Sequence, residues 1–131
     1  MNRTAAIIVI ALALSTGAQA EPTDVQKLAA NNVSHQFIDC AAFFAFTAMC
    51  LGNQDPPLKA RAERQRKDYI NLAFGTATAA GLKPEIVVAR YKTAFDKLQK
   101  HTDCLNVSIL RERHLVQCEA LIEVPQRLKR H

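Results

Sequence analysis

Four cysteines, Cys40, Cys50, Cys104 and Cys118, constrain this chain more than any other feature, because what they do depends on the compartment they reach. The first twenty residues, MNRTAAIIVIALALSTGAQA, address that point. Arg3 supplies a positive start, Ala5 to Leu14 is an unbroken apolar run, and Ala18-Gln19-Ala20 places small residues where a signal peptidase reads. This pattern predicts a cleaved signal peptide over residues 1–20. The run is too short for an anchor, since ten helical residues extend only about 15 Å, half a bilayer core. A periplasmic or secreted protein follows, and an even number of cysteines in a small exported domain reads as a disulfide framework.

Residues 21–131 are enough for one domain with a modest core. Removing Arg3 from the 17 basic residues leaves 16 against 12 acidic ones, a net charge of +4. That charge favours anionic partners, but an exported chain without basic and aromatic residues interleaved gives no case for nucleic acid. With no Trp and two Tyr, sugar binding is equally unsupported.

Gly and Pro punctuate the rest. Gly52 with Pro56-Pro57 closes one segment, Gly81 with Pro84 a second, and Pro125 is expected to end the ordered chain before a basic tail over 125–131. HTDCLNVS, from His101 to Ser108, is rich in residues that favour caps and turns and divides the long span between Pro84 and Pro125. Four helices result within a domain over 21–124. In the first, Ala30, Val33, Phe37, Cys40, Ala41, Phe44, Ala48 and Leu51 share a face, while Phe43, Phe46 and Met49 widen it until the helix reads as nearly buried. The second turns Leu58, Ala62, Tyr69, Leu72, Ala73 and Ala80 inward. Val87, Tyr91, Ala94, Phe95 and Leu98 mark the third; Val107, Leu110, Leu115, Cys118, Leu121 and Ile122 mark the fourth. The predicted fold is all-α, an up-and-down four-helix bundle with short connections.

That topology selects among the three possible cysteine pairings. Cys40 and Cys50 on one helix lie about 15 Å apart along its axis, beyond the Cα separation of about 7 Å that a disulfide tolerates. In an up-and-down bundle the first and last helices run antiparallel, which sets Cys50 beside Cys104 and Cys40 towards Cys118. Cys40–Cys118 and Cys50–Cys104 are therefore the predicted bonds, each worth about 4 kcal/mol on a chain-entropy model. The apolar stretch DCAAFFAFTAMCLG then reads as one wall of a stapled core, since twelve helical residues extend about 18 Å and do not span a membrane. The nine-residue gap between Cys40 and Cys50 resembles half of a twin Cx9C hairpin. Cys104 and Cys118 are separated by thirteen residues, so the likeness carries no function.

Metal binding is the alternative, because His101 precedes Cys104 by three residues and His114 precedes Cys118 by four, spacings that put two ligands on one helical face. His35 stands in the same relation to Asp39. Thiolate and imidazole suit zinc or Cu(I), but they require reduced cysteines. Ser34, His35 and Asp39 suggest a triad fragment only superficially, since Ser34 and His35 point about 100° apart on a helix. No nucleophile elbow, phosphate loop, HExxH motif, CxxC or haem-attachment sequence occurs, so neither catalysis nor a cofactor is expected. GTATAAG, Gly75 to Gly81, predicts close helix packing and a helix end. The remaining candidate is a basic cluster, Lys59, Arg61, Arg64, Arg66 and Lys67, near a helix N-terminus where the backbone dipole disfavours cations. It predicts an interaction protein, of the inhibitor, immunity or assembly-factor kind, that meets an acidic protein partner and does not insert stably into a membrane.

Overall fold

The computed structural model describes residues 21–129. The export-signal reading concerns residues 1–20 and lies outside them. Helix α1 spans Asp24–Leu51, α2 Pro56–Ala79, α3 Pro84–His101 and α4 Val107–Lys129, with one 3-10 turn over Cys104–Asn106 and no strand among the described residues.

Local chemistry sets each boundary. Thr23 opens α1 with a reciprocal capping box: its hydroxyl accepts from the Gln26 amide at 3.2 Å, and the Gln26 side chain accepts from the Thr23 amide at 2.9 Å. Gly52 closes it at φ 53°. Asp55 caps α2 by accepting from the Leu58 amide at 3.1 Å, ahead of the two prolines, which occupy positions where no amide bond is lost. The end of α2 is a Schellman motif. Gly81, at φ 76°, donates to the Thr78 carbonyl at 3.0 Å, and Leu82 donates to Ala77 at 2.9 Å. Asp103 organises the last connection by accepting from the Asn106 amide at 3.1 Å.

The helices alternate in direction. Ser34 meets Ala73 and Phe44 stacks on Tyr69, so α2 runs back along α1. Arg90 meets Asn31 and Gln99 meets Met49, so α3 runs with it. Cys104 meets Cys50 and Cys118 meets Cys40, which returns α4 antiparallel to α1. This is the up-and-down bundle and the cysteine pairing that the sequence predicts, with Cα separations of 5.9 Å for Cys40–Cys118 and 5.2 Å for Cys50–Cys104. The first helix packs against each of the other three, and α2 also meets α3.

That central position explains the composition of α1. It is long and apolar enough to cross a membrane by length and composition, yet between Phe37 and Ala48 it is buried by its three neighbours on almost every side. Met49 departs from the sequence reading: it is 46% exposed, and the first two turns, with Val25 and Leu28, also face outward. On α2 the buried residues are Ala62, Tyr69, Ala73 and Ala77, and Leu72 turns away at 36% exposure. The small side chains draw α2 against α1 closely enough for the Ser34 hydroxyl to reach the Ala73 carbonyl at 2.8 Å. Within GTATAAG the close packing belongs to Ala77, which is 1% exposed, whereas Gly75 is exposed and a Cβ there would meet nothing within 4 Å.

The fourth helix differs at its end. It continues through Pro125 to Lys129, where the sequence reading stopped the ordered chain at Pro125. A proline removes one backbone bond from a helix without obliging the chain to leave it, and Gln126, Leu128 and Lys129 beyond it are good helix formers.

A basic-rimmed groove as the candidate functional site

Helices α2 and α3 flank α1 and leave an open groove of about 590 Å³ between them. Its floor is Ala45, Ala48 and Met49 of α1. One wall is Lys59, Glu63 and Arg66 of α2; the other is Val88, Tyr91, Lys92 and Phe95 of α3. Each wall therefore carries one stripe of a helix, at i, i+4, i+7 on α2 and i, i+3, i+4, i+7 on α3. The two alanines give the floor its depth. Val88 is 57% exposed, and with Met49 it leaves apolar surface open to solvent. At one end the Gln99 side chain donates to the Met49 sulfur at 3.6 Å.

The basic cluster read from the sequence divides here. Lys59 and Arg66 are partly buried and line the groove, whereas Arg61, Arg64 and Lys67 are exposed and lie outside its lining. The rotation of about 100° per residue accounts for this: Arg61 and Arg64 stand about 200° and 140° round α2 from Lys59. A third cation, Lys92, faces the first two from α3. Neither Lys92 nor Val88 was singled out in the sequence, although Val88 beside the buried Val87 already widens the apolar stripe of α3 beyond one face.

A second cleft, of about 300 Å³, lies between α3 and α4 and is lined by Asp39, Phe43, Ala94, Lys97, Leu98, His101, Thr102 and His114. His114 stacks on Phe43 with ring centroids 4.5 Å apart. Burial holds its pKa below the ordinary histidine value and Arg113 adds to that, while Asp39 opposes them. The cleft gathers two of the histidines of the metal reading but not their thiolates, because Cys104 and Cys118 are both in disulfides. Among the described residues no group of three or more His, Cys, Asp or Glu is placed to hold a metal ion. Ser34 is wholly buried and committed to Ala73, whereas His35 and Asp39 are exposed, so the three form no catalytic unit.

Compared with protein-family models, with curated proteins and with solved structures, the chain shows no significant match to any.

Proposed function

We propose that this is an exported binding protein, resident in the periplasm or secreted, that acts without catalysis by engaging an acidic protein partner along the groove side of α2. The observation that carries this reading is the meeting of Lys59, Arg66 and Lys92 around exposed apolar surface at Met49 and Val88. Open apolar area flanked by three cations against the one carboxylate of Glu63 is the make-up of an interaction surface, the apolar part supplying affinity and the excess charge selecting the partner. The position of Lys59 supports it further, since a cation in the first turns of a helix opposes the backbone dipole. The two disulfides and the apolar N-terminal run support the exported setting. The test is capture of partners from an extract of the exported compartment. Lys59→Glu combined with Arg66→Glu, with the melting temperature held, abolishes capture of the specific partner; undiminished capture removes the basic side of α2 from the reading.

A further inference from the structure

We infer that the groove is a seat for one amphipathic helix of about two turns, with apolar anchors at i, i+3 or i+4, and i+7 and with Asp or Glu on both flanks. This rests on the proposed binding role and specifies the form of the acidic partner. The walls run from Lys59 to Arg66 and from Val88 to Phe95, and each of these stretches rises about 10 Å, the length of two helical turns. Both walls are helices, so the trough between them presents the ridges against which another helix packs. A short amphipathic helix laid into such a trough is a recurrent mode of peptide recognition.

The floor suits side chains of varied shape. Ala45 and Ala48 leave room above α1, and the unbranched Met49 adapts to what enters. Charge fixes what flanks the anchors. Lys59 and Arg66 stand on one rim and Lys92 on the other, against Glu63 alone, so carboxylates on either side of an apolar stripe meet cations. A second copy of this chain is a poor occupant, because a protein of net charge +4 without residues 1–20 brings more cations to a cationic rim. A bilayer fits less well than a helix, since the apolar residues lie in a trough, whereas a membrane-binding face pushes them outward.

The test is selection from a displayed library of random helical 14-residue peptides against the oxidised chain lacking residues 1–20. The expected winners are net acidic with apolar residues at helical spacing. Val88→Asp weakens their binding about tenfold or more, because it sets a carboxylate against the apolar anchors and offsets the charge of Lys92 one turn on. The matched substitution Val116→Asp, at a residue of α4 that is 71% exposed and outside the groove, leaves binding within about twofold. Acidic winners without apolar spacing would overturn the helix seat and leave the acidic-partner reading standing. An absence of any winner would overturn both. Val88-dependent binding to phosphatidylglycerol vesicles in place of peptides would overturn the inference in favour of a membrane surface.

Discussion

The hydroxyl of Ser34 donates to the carbonyl oxygen of Ala73 at 2.8 Å, joining α1 to α2 across an interface in which both residues are fully buried. The carbonyl also accepts from the Thr76 hydroxyl at 3.2 Å, so it keeps a partner when Ser34 is lost. Ser34→Ala should therefore cost only about 1 kcal/mol. Ser34→Val has to push α2 outward and should cost about 1–3 kcal/mol, the range for overpacking a tight site. Denaturant melts of the two variants decide the order; an equal or reversed cost would mean that the helices are not in close contact here.

The two disulfides differ in accessibility. Cys40 and Cys118 are 5% and 1% exposed, while Cys104 lies on the surface. Mild reduction followed by alkylation and mass spectrometry should label Cys50 and Cys104 before Cys40 and Cys118. Replacing either pair by Ala should lower stability by about 4 kcal/mol, and the buried pair should cost more, because its sulfurs also fill the core. Simultaneous labelling of all four would contradict the difference.

Lys59→Glu separates stability from binding. It replaces a cation near the N-terminus of α2 with an anion, which the backbone dipole favours by about 0.3–1 kcal/mol and the like charge of Glu63 one turn on opposes by about 0.2–0.5 kcal/mol, so stability should hold or rise slightly while partner capture weakens. A thermal melt that shows a loss of stability would mean that Lys59 holds the fold.

His114 and Tyr69 set opposite limits on pH. Burial holds the His114 pKa down, so the unfolded chain takes up its proton first, and this contribution to stability is lost as pH falls from about 6.5 through the folded value. Asp39→Asn should lower the His114 pKa further and Arg113→Gln should raise it, both read by NMR titration. Tyr69 is pushed up to about 12 by burial first, then by Glu119 and Asp68. Its contribution is complete below about pH 10 and is lost as pH rises towards 12. Tyr69→Phe should flatten that alkaline decline; an unchanged slope would assign it to other groups.

Helix boundaries and cysteine pairing were legible because local and covalent rules decide them. Gly52, Gly81 and the prolines that follow them act within a few residues of their own positions, and the span between Cys40 and Cys50 excludes their bond whatever surrounds them. The path through Pro125 was not legible, since a single proline only weakens the preference for helix. Met49 and Leu72 were assigned inward from periodicity alone. Which apolar residue is covered depends on how the neighbouring helices pack, and Met49 lies on the floor of the open groove between α2 and α3. The groove was hidden for a related reason. The rotation along α2 already separates Lys59 and Arg66 from Arg61 and Arg64, but the tertiary packing that sets Lys92 of α3 opposite them is not written in either helix alone.

The most direct test of the groove is photo-crosslinking in cells that make the native protein, with benzoylphenylalanine placed singly at Val88 and at Val116. Both positions are exposed, and only Val88 lies in the groove. The groove reading predicts a discrete adduct of one partner from position 88, lost when Lys59 and Arg66 are reversed in charge, and none from position 116. No adduct at 88, or the same adduct from both positions, would contradict it.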